Sequence, residues 1–268
     1  MTYHGSVTAV APPSSPAPAV TRAALLLEAL AADPGGRMGL SDLARQLALP
    51  KSSIANLCVA LEDAGLIRRV DNRFTLGHKL VELASAYLSK VDLLQEFREG
   101  VRALRTVSQE TVLFAMLDGV EVLYLARHDG TQPIRLASDV GRRMPAVCTA
   151  LGKAMLSMLP DDEVRARVGK LDTFPILAPK GNRNLDELLD DLDRTRARGY
   201  SIDDEENTEG VMCFSVAVPS LGADRPLHAV SVTLLKPRAT ERLRERIVAD
   251  LRDLVERLPH RLDLTTAP

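Results

Sequence analysis

Apolar residues recur at helical spacing in the first third of the chain and at strand spacing later, so the change of period divides it. Ala23, Leu26, Leu27 and Leu30 fall at i, i+3, i+4 and i+7 and predict one buried helix face, with Thr21 as its N-cap. Asp33-Pro34-Gly35-Gly36 ends that helix. Ser41 is expected to cap a short second helix carrying Leu43, Ala44 and Leu47. Leu49-Pro50 then restarts the chain with proline at the first helical position. A third helix buries Ile54, Leu57, Cys58 and Leu61 and closes at Gly65. The runs 66–70 and 73–76 around Asp71-Asn72 predict a β-hairpin. A fourth helix, from about 78 to 95, holds Leu80, Leu83, Ala84, Tyr87, Leu88, Val91 and Leu94 on one stripe. It is expected to act as a connecting rod or dimer seam, or else to pack on its own domain.

Beyond about residue 97 the period shortens. Runs 111–117 and 120–126 read as strands joined at Asp118-Gly119, and 134–137 as a further strand. Runs 211–218 and 227–235 read as strands covered on both faces. Helices are expected over 149–159, stopped by Pro160, around Leu185, Leu188, Leu189 and Leu192, stopped by Gly199, and over 240–258. Strands and helices without strict βαβ alternation predict an α+β sheet domain.

Composition narrows the class. The chain has 268 residues, 46% hydrophobic and 26% charged, as in an ordinary globular protein. Lys and Arg number 34 against 36 Asp and Glu, so no bulk charge marks nucleic acid. Between Val20 and Leu80 the balance tips to eight basic against six acidic residues. Cys58, Cys148 and Cys213 lie far apart with no CxxC pair, which predicts neither disulfide nor structural zinc and fits a reducing cytoplasm. His4, His78, His128, His228 and His260 show no ligand spacing, and no cofactor motif is present. No apolar run is long enough for a membrane span, and the start lacks the pattern of a secretory signal. Residues 1–19 carry no charged side chain and four prolines in 11–18, and are expected to form a disordered tail.

Two short helices, a turn, a third helix and a hairpin predict a winged helix-turn-helix over 20–77. The third helix turns Lys51, Ser52, Ser53, Ala55, Asn56 and Ala60 outward, small or polar enough to enter a major groove. Asn56 suits an adenine edge. Lys51, Ser52 and Ser53 at the helix start, with Ser41, suit phosphate. Arg68, Arg69 and Arg73 flank the hairpin within reach of the DNA backbone or minor groove.

Several stretches resemble IclR-type transcriptional regulators. In the N-terminal part they are Leu40-Ser41-Asp42-Leu43-Ala44-Arg45, Leu49-Pro50-Lys51-Ser52-Ser53, Leu61-Glu62-Asp63-Ala64-Gly65-Leu66-Ile67-Arg68-Arg69 and Arg73-Phe74-Thr75-Leu76-Gly77. In the C-terminal part they are Pro145 with Thr149-Ala150-Leu151-Gly152-Lys153-Ala154, the run from Arg198 to Glu206, Gly210-Val211-Met212-Cys213 and Ala217-Val218-Pro219. The resemblance covers nearly everything from Val20 onward. It implies an α+β chain: an N-terminal winged helix-turn-helix over 20–77, a linker helix over 78–96 and a GAF-like α/β effector-binding and oligomerisation domain over 97–268. It implies a homodimer or dimer of dimers on a double-stranded operator, with a small-molecule effector, a carboxylate, bound in the C-terminal domain. Carried over by position, the effector site comprises Met144, Ala150, Leu151, Asp203, Val211, Cys213, Ser231 and Thr233. Ala150 and Leu151 would open a helix whose amides attract an anion. Ser231 and Thr233 share a strand face and offer hydroxyls. The family often has Arg where this chain has Asn56, and His where it has Val147. Arg142 and Arg143 are candidate carboxylate partners in compensation.

Two other classes compete. A cysteine-dependent enzyme would use Cys213 with His228 and Asp203, against which stands the apolar strand around Cys213. A winged helix that contacts only protein is the other alternative.

Overall fold

The computed structural model describes residues 15–89, 93–131, 139–219 and 226–258. They fall into two compact units divided between Lys90 and Val91. In the first, helix α1 spans Pro18–Ala32, α2 Leu40–Gln46 and α3 Lys51–Asp63, followed by strands β1 Ile67–Val70 and β2 Arg73–Leu76 and helix α4 Lys79–Ser89. Leu26, Leu30, Leu43, Ile54, Cys58, Leu61, Ile67 and Phe74 meet in one core.

Three expected helix starts are corrected. Pro18 sits in the first turn of α1, where its fixed φ and missing N–H cost nothing. The helix therefore begins inside the stretch read as a tail. Thr21 lies within it and donates to Ser15 Oγ at 2.7 Å instead of capping. Gly39 precedes α2 with extended backbone and no side-chain cap, which puts Ser41 inside the helix. Pro50 stands just before α3, not in it. The hairpin forms as expected: Val70 pairs with Arg73, and Asp71 and Asn72 take φ of 49° and 62°, the left-handed pair that matches strand twist.

The stretch expected as a fourth helix is described in two pieces. α4 ends at Ser89, residues 90–92, including Val91, lie outside the described residues, and α5 spans Leu93–Ala103. Leu83 and Tyr87 on α4 are exposed, whereas Leu94 is buried with Phe97 and Val101 on α5. α5 packs through the i, i+3, i+7 run Leu94-Phe97-Val101, whose last two members lie beyond the expected stripe.

The second unit is a six-stranded antiparallel sheet in the order β5-β4-β3-β8-β7-β6. The strands are β3 Thr111–Asp118, β4 Glu121–His128, β5 Arg143–Pro145, β6 Ser201–Asp204, β7 Val211–Val218 and β8 His228–Leu235. Gly119 at φ +64° and Val120 close the β3–β4 hairpin, since Asp118 pairs with Glu121. One sheet face packs against α6 Ala150–Leu156, α7 Asp161–Val168 and α8 Leu185–Arg198, with Leu113, Ala115, Tyr124, Leu151, Leu188 and Leu192 in its core. On the other face Phe97 of α5 meets Phe114 at 5.6 Å between ring centroids, and α9 Glu241–Arg257 packs beside α5. Both long strands are covered on both faces, as their unbroken apolar runs require. The expected strand at 134–137 lies outside the described residues. The short elements β5, β6 and α7 were not expected.

Candidate DNA interface and effector site

The side of α3 away from the core begins at Lys51 and Ser52 and continues through Asn56, all exposed; Ser53 and Ala55 are half-buried at its flank. Ile54, Cys58 and Leu61 on the opposite side hold the helix down. Arg68, Arg69 and Arg73 are exposed on the hairpin, but only partly free. Arg69 lies 3.7 Å from Glu62 and over the Phe74 ring at 4.9 Å, so it braces the wing against α3. Arg73 donates to the Arg37 carbonyl at 3.4 Å, and Arg37 lies 3.6 Å from Asp71. Val59, which the expected outward set omitted, is 53% exposed on α3.

In the second unit, strand register assembles a row of polar side chains. Asp203 on β6 pairs with Cys213 on β7, and Cys213 with Thr233 on β8. Two residues along, Ser201, Ser215 and Ser231 form a parallel row. Strand alternation puts both rows on the face that meets α6. Ser201 Oγ donates to the Ala150 carbonyl at 2.6 Å and Ser215 Oγ to the Val230 carbonyl at 2.8 Å. The Ser231 hydroxyl has no protein partner among the described residues. Cys213 Sγ and Thr233 Oγ1 are 3.3 Å apart. Asp203 Oδ1 accepts the N–H groups of Glu206 at 2.8 Å and Asn207 at 3.2 Å. Asp203, Ser231 and Thr233 are buried, while Cys213 on the central strand is half-buried as a residue.

Charge in this row is suppressed. Burial, reinforced by the Glu206 carboxylate, pushes the Asp203 carboxyl up to about 7. Burial and the Asp203 charge push the Cys213 thiol well above its ordinary value. Cys148 is raised by burial to about 12, and burial raises the Tyr124 phenol as well. The thiols stay neutral, unlike a nucleophile.

The Cys213–His228 arrangement is not formed. His228 pairs with Val218, five register positions from Thr233, and points to the opposite face, where its ring stacks on Phe114 at 5.3 Å. Among the described residues no group of three His, Cys, Asp or Glu is placed to hold a metal ion.

The neighbouring cation was not singled out from sequence. Lys153 on α6 is 0% exposed. Its Nζ lies 2.6 Å from Asp191 Oδ2 on α8 and 2.6 Å from the carboxylate oxygens of Glu206. Glu206 also offers its N–H to Asp203, so the ion pair fixes the loop that orients the acid at the end of the row. Thr149 caps α6 by accepting the Gly152 N–H at 3.0 Å. That occupies one of the amides expected to draw an anion.

Residues 85–260 match the C-terminal domain described as bacterial transcriptional regulator IclR, and residues 19–71 match the IclR helix-turn-helix domain. The chain belongs to the IclR family. It is 28% identical over 183 residues to the transcriptional regulator KdgR of Dickeya chrysanthemi, covering 68% of this chain and spanning 60% of that regulator. It is 29% identical over 234 residues to the transcriptional repressor IclR of Escherichia coli K12, covering 84% and 82% of the two chains. An IclR homologue from Microbacterium hydrocarbonoxydans, crystallised with 4-hydroxybenzoate, shares the fold. Its TM-score is 0.76 at 21% identity, over 90% of this chain and 98% of that one. The curated relatives are named as regulators and repressors of transcription, not as enzymes.

Within this IclR-family chain the expected residues separate by unit. Ser41, Lys51, Ser52, Ser53, Ala55, Asn56, Arg68, Arg69 and Arg73 belong to the helix-turn-helix and its wing. Asp203, Cys213, Ser231 and Thr233 are brought together by strand register. Val211 lies two residues before Cys213 on the same strand face. Ala150 touches the row through its carbonyl. Leu151 shares the adjoining apolar core with Met144, which is on the far edge strand. Arg143 is exposed and paired with Asp118 at 2.6 Å and Glu121 at 3.2 Å. It braces the β3–β4 hairpin and is not a carboxylate partner in the row. Lys153, Asp191 and Glu206, beside the row, are the members that the sequence did not mark as site residues. Long-range pairing creates their environment, and only the placement of a lysine inside an otherwise apolar helix hinted at it.

Proposed function

We propose that the chain is a cytoplasmic transcriptional regulator whose operator affinity is set by a small carboxylate bound against the polar row. The observation that carries the effector assignment is the buried Ser231 hydroxyl, without a protein partner among the described residues, beside the polar row of Asp203, Cys213 and Thr233. A ligand oxygen would complete that hydrogen bond, and the neutral form of Asp203 would donate to a carboxylate. The structural neighbour that holds 4-hydroxybenzoate supports this ligand class. α3 would enter the major groove with Lys51, Ser52 and Ser53 toward phosphate and Asn56 toward an adenine edge.

The exposed Val81, Leu83 and Tyr87 on α4 support a seam between two copies, which would hold two recognition helices at half-site spacing. Effector binding then shifts operator affinity only through differential affinity for two dimer arrangements. A thermal-shift series with 4-hydroxybenzoate and other small carboxylates tests the reading. A native-state ligand raises the midpoint, and Ser231→Ala should abolish the rise. If no carboxylate moves the midpoint, this effector class is wrong.

A further inference from the structure

We infer that Val59 reads sequence: its side chain packs on the C5-methyl group of an operator thymine, about one base-pair step from the adenine contacted by Asn56. This rests on the DNA-binding reading above and deepens it. Val59 is 53% exposed and is the exposed large apolar side chain of α3, on which Ile54, Cys58 and Leu61 are buried and Leu57 is half-buried. Scattered surface valines are ordinary, but this one stands on the face that a groove must meet. Ser52, Asn56 and Val59 are spaced i, i+4 and i+7, so their side chains project from one side of the helix. Asn56 and Val59 are separated by about 4.5 Å of helical rise, comparable to the 3.4 Å step between base pairs.

The groove offers Val59 few compatible surfaces. Against a phosphate or a polar base edge, the valine would strip water from groups it cannot hydrogen-bond. The thymine methyl is the apolar feature of the major-groove edge, and small apolar side chains are its usual partners. A β-branched residue also has lower helix propensity than the alanines nearby, so its presence on the exposed side needs a contact to favour it. Asn56 beside it suits an adenine N6/N7 edge. Together they predict two neighbouring A·T pairs in each half-site.

The test uses the full-length protein and a fragment upstream of its own gene, with the bound half-site located by footprinting. Each thymine of that half-site is replaced singly by deoxyuridine, which removes the methyl and nothing else. At one position the wild-type affinity should fall about fourfold, the effect of losing roughly one buried methyl. The Val59→Ala variant, checked for an unchanged melting midpoint, should bind thymine and uracil operators there with equal affinity. Val59→Thr, which keeps one methyl, should retain part of the discrimination. Equal wild-type affinity for all uracil operators overturns the inference while leaving DNA binding intact. So does an undiminished thymine preference in Val59→Ala, or a change in its oligomeric state instead. Failure of the wild type to bind any fragment at low salt overturns the DNA-binding reading itself.

Discussion

The ammonium of Lys153 sits 2.6 Å from both carboxylate oxygens of Glu206 with no exposure to solvent. Breaking such a pair from one side strands a buried charge. Lys153→Met should therefore cost about 3–5 kcal/mol, seen as a lower denaturant midpoint. The combined Lys153→Met, Asp191→Asn, Glu206→Gln variant should recover much of that loss. If Lys153→Met alone melts like the wild type, the pair is not what anchors the loop after β6.

Asp203 gives the sheet domain a distinct pH dependence. Its carboxyl titrates near 7 when folded and near 4 when unfolded. Between those values the unfolded chain has released a proton that the folded chain keeps, so stability falls as pH rises from about 4 to 7 and then levels off. Glu206, raised in the same direction by burial, adds to the trend. In Asp203→Asn the slope should shrink by up to about 1.4 kcal/mol per pH unit, measured by urea unfolding at pH 5, 6 and 7. An unchanged slope would place the acid in water.

The two units should separate by mutation. Asn56→Ala should weaken operator binding by about tenfold, within the range for one bidentate base contact, and leave the carboxylate thermal shift intact. Ser231→Ala should do the reverse. Parallel filter binding and calorimetry on both variants would show it, and identical behaviour would refute the division.

Gly152 is irreplaceable for a local reason. A Cβ there would lie 2.1 Å from the Ala146 carbonyl oxygen and 2.3 Å from its Cα, both backbone. Gly152→Ala must therefore push α6 off the strand β5 connection or fail to fold. We expect loss of soluble protein or a melting point lowered by more than 5 °C, roughly a kcal/mol or more on a domain of this size.

Leu83→Arg together with Tyr87→Glu should leave the fold intact, because both side chains are exposed. If α4 is the seam between copies, light scattering should show dissociation toward monomer and a loss of operator affinity. A dimer of unchanged stability would move the seam elsewhere.

The N-terminal unit was legible because its structure is written locally. Apolar spacing marked α1 to α3, and Asp71-Asn72 could adopt the left-handed pair its turn needs. The misplaced helix starts at Thr21 and Ser41 show that capping residues are only candidates when proline or glycine sits just upstream. The sheet was legible in its long strands and not in its short ones, since Arg143–Pro145 and Ser201–Asp204 have too few residues to show a period. The resemblance, not periodicity, named Asp203, Cys213 and Thr233 together. No local rule brings residues thirty positions apart onto one line. Lys153 escaped notice because nothing adjacent in sequence identifies its partners on α8 and after β6.

The row from Asp203 through Cys213 to Thr233 draws one side chain from each of three adjacent strands, whose backbones are locked in step by their own ladder. Exchanging any one of them alters what the surface attracts without altering where the others stand. If this row is the effector site, its chemical preference can drift one codon at a time on an unchanged strand scaffold.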